Sequence, residues 1–211
     1  MNRGTASLVG CGPGGADWVL PAAHRAVEEC DVVFGPSDLQ GLFPQARGVR
    51  LAIPVRPEAA APLVESTLAR GLSCAVLVRG DCGLRSLAAG IQSRLPTGSC
   101  RRIPGVSSVQ AACAAFGLDW EKARIVSAHG RDPGTLGPEE RAAPLLAVLG
   151  GGDGFGRILS SIRSQAGGTR LLIASDLSLP GEKLSVVDAG CEIPVDLPSR
   201  TVALLPREER P

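Results

Sequence analysis

The sequence is poor in aromatic residues, with no tyrosine, four phenylalanines and two tryptophans among its 211 residues. Its core must therefore be built from Ala, Val, Leu and Ile. It also lacks an excess of charge of one sign: the formal net charge is +1 at pH 7, which gives no reason to expect nucleic acid or an anionic membrane as a partner. No apolar run has the length of a membrane span, and no signal-peptide core is recognisable. A cytoplasmic protein is expected.

The seven cysteines contain no C-x-x-C pair, so neither a zinc site nor a disulfide framework is predicted, and no bound metal is expected. Most of them, such as Cys74 and Cys113, lie in apolar segments and are predicted to be small buried residues. Cys82 lies in the glycine-rich loop RGDCG instead. It is therefore a candidate for an exposed, reactive thiol.

Short apolar strands alternate with helices in the first half of the chain. The predicted strands are Ala6–Val9, Asp31–Phe34, Val49–Ile53, Cys74–Val78 and Cys100–Ile103, and the predicted helices are Asp17–Cys30, Pro57–Arg70, Leu84–Leu95 and Ser107–Phe116. This βαβα order predicts a mainly parallel sheet with helices on both faces.

The pattern changes after Leu118. The predicted strands there are Ile125–Ser127, Leu145–Leu149, Arg170–Ala174, Lys183–Val187 and Thr201–Leu205, with one helix at Phe155–Gln165. The last connections are too short for a helix, so this second sheet should be partly antiparallel. We expect an α/β protein of two halves, residues 1–118 and 119–211, with the boundary near residues 117–122.

The segment VGCGPGG at Val9–Gly15 joins the first strand to the first helix. Gly10, Gly12 and Gly15 satisfy G-x-G-x-x-G, which makes a nicotinamide-dependent oxidoreductase one alternative. The next strand ends in Gly35-Pro36, however, where a dinucleotide site needs an acid for the ribose. A tight turn with a purely structural role and a non-catalytic nucleotide-binding module are further alternatives.

Three other loops follow predicted strands. They are RGDCG at Arg79–Gly83, PGVSS at Pro104–Ser108 and SAHGR at Ser127–Arg131. Each alone has an ordinary explanation, as a plain turn, a helix N-cap or a surface loop. The carboxyl ends of parallel strands are nevertheless where open α/β sheets bind ligands.

In this order the loops resemble the tetrapyrrole methylase family, whose members carry VGxGPG, then GDP, then PGxSS. The segments CDVVFG, IPGVSSVQAACAAFGL and IVSAHGR are most similar to the members that methylate C-5 of a precorrin in corrin synthesis, and SDLSLPGEK resembles the ENLGxPxE loop of the family as a whole. There are departures. Cys82 stands where the family usually has proline, and Leu84-Arg85 stands where it has an aromatic pair. Pro21 takes the position of a common threonine, and Ser175-Asp176 takes that of a Glu-Asn pair.

The resemblance implies two α/β subdomains, a mainly parallel N-terminal sheet and a mixed C-terminal one, with the active site in the cleft between them. It implies S-adenosylmethionine as methyl donor and a corrinoid precursor as acceptor. Position by position, the implied donor-binding residues are Pro13, Gly80, Asp81, Leu84, Ser107, Ser108, Leu149 and Leu177. No single catalytic residue is implied, because the protein must mainly align two large ligands and exclude water.

The acceptor carries several carboxylates, which arginine binds well. Arg85 and Arg131 are the candidates for this role, with Arg79 as an addition, and His129 is a candidate for orienting the substrate. His24, within the first helix, is expected to be structural. The family suggests a homodimer, and a separate protein is expected to complete methylation at C-15 with decarboxylation. Another ring position or another acceptor remains an alternative.

Overall fold

A computed structural model of the chain describes residues 4–129, 132–167 and 170–207. The chain divides into two compact units, Met1–Ser107 and Ser108–Pro211. Each unit is built around one five-stranded sheet.

The described part of the first unit has five strands and four α-helices. The strands are β1 (Ala6–Gly10), β2 (Val32–Phe34), β3 (Val49–Leu51), β4 (Cys74–Val78) and β5 (Cys100–Ile103), and the helices are α1 (Pro21–Glu28), α2 (Ser37–Gln40), α3 (Pro57–Ala69) and α4 (Leu87–Gln92). All strand pairs are parallel, and the order across the sheet is β3-β2-β4-β1-β5. The predicted parallel sheet is therefore confirmed.

The sheet of the first unit is covered on both faces because its strands are apolar at consecutive positions. Leu8 and Val76 belong to a core with Ala60 and Val64 of α3. Val9 faces the other side and shares a second core with α1 and α2. Burying an aliphatic side chain of this kind contributes roughly 1.5–3 kcal/mol relative to exposure, so the two cores dominate the stability of the unit.

Two predicted helices of this unit are shorter than expected. The prediction Asp17–Cys30 is wrong at its start, where a 3-10 turn at Ala16–Trp18 is followed by extended Leu20 and then α1. Pro21 occupies the first turn of α1, and a residue before proline is driven out of the helical region. The prediction Leu84–Leu95 fails because Arg85 has a φ of 49°, so α4 begins only after the N-cap Ser86.

The second unit contains α5 (Ser108–Ala115), β6 (Ala123–Ser127), α6 (Pro138–Ala142), β7 (Leu145–Gly152), α7 (Phe155–Gln165), β8 (Leu171–Ser175), β9 (Lys183–Val187) and β10 (Leu197–Pro206). Its sheet has the order β6-β7-β10-β8-β9. The β6–β7 pair is parallel, and the pairs β7–β10, β10–β8 and β8–β9 are antiparallel. The mixed second sheet is confirmed.

The chain divides before α5, because this helix packs against β10 of the second unit. The sequence placed the boundary after the same helix, near residues 117–122. Two short helices, α2 and α6, fall in segments where no helix was predicted. Within the described ranges, no helix is long and apolar enough to cross a bilayer.

Candidate functional site

Three neighbouring strands of the first unit bring three of the predicted loops to one edge of the sheet. Strand β1 pairs with β4 on one side and with β5 on the other. The loops that follow these strands, which we call the first, second and third loops, are 11–15, 79–85 and 104–107. Because the strands are parallel, all three loops leave from the same edge, the one where open α/β sheets bind ligands.

The first and second loops are joined through their backbones. The N–H of Gly12 donates to the carbonyl of Gly80 at 3.2 Å, and the N–H of Gly80 donates to the carbonyl of Gly12 at 2.8 Å. Both glycines have positive φ angles, 74° and 61°, which residues with a side chain rarely adopt. Pro13 follows directly and is buried.

The second and third loops meet at a junction of three glycines. A Cβ at Gly105 would lie 2.5 Å from the carbonyl oxygen of Gly80 and 2.6 Å from the carbonyl carbon of Gly10. A Cβ at Gly10 would lie 2.7 Å from the backbone nitrogen of Gly105. These glycines are needed because three backbones approach one another more closely than any side chain allows.

Asp81 links the second loop to the third through its side chain. Oδ1 accepts a hydrogen bond from the N–H of Gly83 at 2.7 Å, and Oδ2 accepts one from the N–H of Gly105 at 3.0 Å. Asp81 is half-buried, as is Leu84 further along the same loop. The sequence singled out Asp81 but gave no sign of its contact with Gly105, because Gly105 lies 24 residues further along the chain, in the loop after β5.

The thiol of Cys82 is buried, so the expectation of an exposed, reactive cysteine is wrong. Only 3% of the residue is exposed, and Sγ donates to the carbonyl of Ile103 at 3.4 Å. Burial raises the pKa of this thiol, and the neighbouring carboxylate of Asp81 raises it further. The loop turns the side chain into the core beneath β4 and β5, where a thiol behaves as a small apolar group.

The remaining donor-site candidates lie at element ends. Ser107 is 5% exposed and directly precedes α5, which begins at Ser108. In the second unit, Leu149 lies on β7 between Ser127 and Val202 of the adjacent strands and is buried. Leu177 lies in the loop after β8 and is also buried.

The acceptor-site candidates are more scattered. Arg85 is exposed at the end of the second loop. His129 is exposed after β6, and partial removal of its ring from water lowers its pKa, so it is neutral at pH 7. Arg131 lies outside the described residues. Arg79, at the end of β4, forms an ion pair with Asp38 of α2, which sequence reasoning missed.

The ring of His24, for which a structural role is expected, packs on Phe43 with 5.1 Å between the ring centroids. Among the residues that the structure describes, no group of three or more His, Cys, Asp or Glu side chains could hold a metal ion.

These features define a class: an α/β protein whose glycine-rich loops converge at the carboxyl edge of a parallel sheet. The family model described as Tetrapyrrole (Corrin/Porphyrin) Methylases matches residues 6–190. The chain belongs to the tetrapyrrole methylase family.

Individual relatives agree with this assignment. The cobalt-precorrin-7 C(5)-methyltransferase of Salmonella typhimurium is 29% identical over 125 residues, which are 59% of this chain and 61% of that protein. The matched region thus spans less than two thirds of the relative's own length. The fold is that of the methyltransferase CobJ, with a TM-score of 0.81, 22% identity and coverage of 99% of this chain and 97% of that one.

Two further solved structures share the fold. A precorrin-6Y methylase from Archaeoglobus fulgidus has a TM-score of 0.72 at 21% identity, covering 97% of this chain and 99% of that chain. A uroporphyrin-III C-methyltransferase from Thermus thermophilus, solved with S-adenosylhomocysteine, has a TM-score of 0.77 at 20% identity, covering 97% and 98%.

Proposed function

We propose that this protein is an S-adenosylmethionine-dependent methyltransferase that methylates C-5 of a precorrin, with or without cobalt, in cobalamin biosynthesis. The observation that carries the proposal is the convergence of the first, second and third loops at one sheet edge, in a chain of the tetrapyrrole methylase family. The C-5 position is supported by the Salmonella relative and by the segments PGVSSVQ and SAHGR.

The chemistry suits such a site. Methyl transfer is an in-line displacement at a sulfonium carbon, and the leaving thioether is neutral. A conjugated ring carbon already has nucleophilic character, so the reaction needs alignment and exclusion of water more than an acid, a base or an oxyanion hole. Glycine-rich loops allow backbone groups to approach a ligand closely, which matches what the first and second loops offer.

For the donor, the proposed residues of the first unit are Pro13, Gly80, Asp81, Leu84 and Ser107. In the second unit, Ser108, Leu149 and Leu177 keep the donor-binding role that the family pattern implies. The burial of Leu149 and Leu177 suits contact with an apolar part of a ligand, and it suits a core position equally well.

For the acceptor, the proposed residues are Arg85, His129 and Arg131. Arg85 is an exposed residue at the end of the second loop, and a guanidinium suits the binding of a substrate carboxylate. Arg79 is a weaker candidate than the sequence suggested, because Asp38 already supplies its carboxylate partner. We further propose that the protein is a cytoplasmic homodimer. A separate protein would then carry out the methylation at C-15 and the decarboxylation.

Calorimetry with S-adenosylhomocysteine and NADH separates this function from the dinucleotide alternative. We expect binding of S-adenosylhomocysteine with a 1:1 stoichiometry per chain and no response to NADH. Binding of NADH without a response to S-adenosylhomocysteine would establish the oxidoreductase alternative instead.

The ring position is tested by product analysis with a ¹³C-methyl donor and the precorrin precursor. We expect mass spectrometry to show the gain of one methyl group without loss of carbon dioxide, and NMR to locate the label at C-5. A label at another carbon would leave the family role intact and refute the C-5 assignment. Two methyl groups or decarboxylation would contradict the need for a separate C-15 enzyme.

A further inference from the structure

The carboxylate of Asp81 is directed at the protein's own backbone. Each of its oxygens accepts one N–H, from Gly83 within the second loop and from Gly105 in the third. The residue also fills the space over Gly83, where a Cβ would lie 2.9 Å from Oδ1. The side chain thus closes its own loop and holds the neighbouring loop at the same time.

A second contact links the second loop to the end of β5, just before the third loop. Cys82, the next residue, donates its thiol to the carbonyl of Ile103, two residues before Gly105. Two adjacent side chains of the second loop therefore hold the end of β5 and the start of the third loop. Between them lies the glycine junction, with the carbonyl of Gly80 against Gly105.

We propose that Asp81 is a positioning residue, whose carboxylate fixes the third loop against the second and thereby sets the backbone around Ser107. This inference rests on the proposed donor site. In this role the carboxylate acts on the donor site through Gly105, and the donor-binding role proposed for Asp81 falls to its backbone. Hydrogen bonds from N–H groups to a charged acceptor are among the stronger ones, and removing the acceptor leaves the N–H of Gly105 without a partner.

The test compares Asp81→Ala and Asp81→Asn with Asp31→Ala as a matched control. Asp31 lies at the opposite edge of the same sheet, and its Oδ2 also accepts two hydrogen bonds, from the N–H and the hydroxyl of Ser73. Loss of Asp31 therefore removes a comparable loop contact without touching the three loops. Asparagine at position 81 keeps one acceptor oxygen and serves as the conservative variant.

Two measurements are made on each full-length variant. Hydrogen–deuterium exchange of the ligand-free protein reports on residues 104–107, and calorimetry reports the affinity for S-adenosylhomocysteine. For Asp81→Ala we expect faster exchange in residues 104–107 and an affinity weakened on the order of tenfold to a hundredfold. Asp81→Asn should be intermediate in both, and Asp31→Ala should match the wild type in both.

A weakened affinity with unchanged exchange in the ligand-free Asp81→Ala protein would mean that the carboxylate contacts the donor directly, which overturns the inference. Wild-type affinity in Asp81→Ala would overturn it as well. Equal losses in the Asp31→Ala control would reduce Asp81 to a general stabilising residue. If Asp81→Ala fails to fold, Asp81→Asn decides by the same criteria. Failure of the wild-type protein to bind S-adenosylhomocysteine would refute the proposed function itself.

Discussion

Two non-glycine residues in the loop between β8 and β9 have the left-handed backbone conformation that is usual for glycine. The φ angle is 48° at Asp176 and 65° at Ser178. Aspartate tolerates the left-handed region better than most residues, whereas serine gains little there. The ENLGxPxE pattern of the family has glycine at the position of Ser178. Within the loop, the N–H of Ser178 donates to Oε2 of Glu182 at 2.6 Å.

The change Ser178→Gly should therefore stabilise the protein. Relief of the left-handed strain outweighs the greater freedom of glycine in the unfolded chain, and we expect a gain of about 0.5–1 kcal/mol in the free energy of unfolding. Urea denaturation measures it. Ser161→Gly in α7 is the control and should lose about 0.5 kcal/mol, because glycine is unfavourable within a helix. A loss of stability in Ser178→Gly would show that the strain is not released.

The cysteines should react with a thiol reagent in the order of their exposure. Cys191 is exposed, whereas Cys82 is buried and its pKa is raised, so little reactive thiolate forms there. With Ellman's reagent near pH 8 we expect a fast phase from Cys191 that disappears in Cys191→Ser. Cys82 should react only slowly or after unfolding. Fast labelling of Cys82, located by peptide mapping, would contradict the buried position of its side chain.

At the scale of elements, the three-glycine junction should tolerate no added methyl group. In Gly105→Ala the new Cβ would meet backbone atoms of Gly80 and Gly10, which cannot rotate away. We expect a loss of about 3 kcal/mol in the free energy of unfolding, together with loss of S-adenosylhomocysteine binding. Denaturant titration measures the loss of stability, and calorimetry measures the loss of binding.

Gly41→Ala is the matched control for this junction. Gly41 has a φ of −62°, and its nearest Cβ neighbour is the carbonyl of Asp38 at 3.4 Å, an ordinary contact. The change should leave the stability equal or slightly higher. If Gly105→Ala behaves like Gly41→Ala, the junction is less tight than the structure indicates.

The contact between Asp31 and Ser73 joins the start of β2 to the start of β4 and should make stability depend on pH. Hydrogen bonds from the hydroxyl and the N–H of Ser73 lower the pKa of the Asp31 carboxyl. A carboxyl whose pKa is lower in the folded than in the unfolded chain stabilises the fold at pH values above its unfolded pKa of about 4. This stabilisation is lost as the pH falls toward the lowered pKa of the folded state.

Replacing Asp31 by Asn should remove this part of the acid dependence. Urea midpoints measured between neutral pH and pH 3 should fall less steeply in Asp31→Asn than in the wild type, while the variant is less stable at neutral pH. Because the side chain is exposed, the difference should shrink at high salt. Parallel curves for the two proteins would contradict the assigned pKa direction.

For the whole molecule, donor binding should appear as added stability. A ligand that binds only the folded chain at 100 times its Kd contributes about 2.7 kcal/mol, which for a chain of this size raises Tm by roughly 5–10 °C. We expect this shift with S-adenosylhomocysteine in a thermal melt. NADH at the same concentration serves as the control and should leave Tm unchanged; a shift with NADH alone would contradict the proposed donor.

The division into elements could be largely predicted from local pattern. Strands β4, β5 and β9 and helix α7 begin and end at the predicted residues, because apolar runs and helical periodicity are properties of neighbouring residues. Strand ends were predicted less well, since β10 begins at Leu197 and not at Thr201, and β7 ends at Gly152 and not at Leu149. The larger errors in the helices of the first unit lie where one residue overrides the pattern. Pro21 interrupts the first predicted helix, and the left-handed Arg85 delays α4. Helices as short as α2 and α6 have too few positions to show a period.

The sequence by itself determined the order of the loops, their glycines and the family to which they belong. Only the tertiary structure decided which loops are neighbours, because strand order depends on pairing between distant segments. It placed β1 between β4 and β5, so that Asp81 meets Gly105 and Cys82 turns inward against β5. A carboxylate in a loop can face a ligand or a backbone, and nothing local distinguishes the two. Its partner is fixed by how the chain packs, 24 residues away along the sequence.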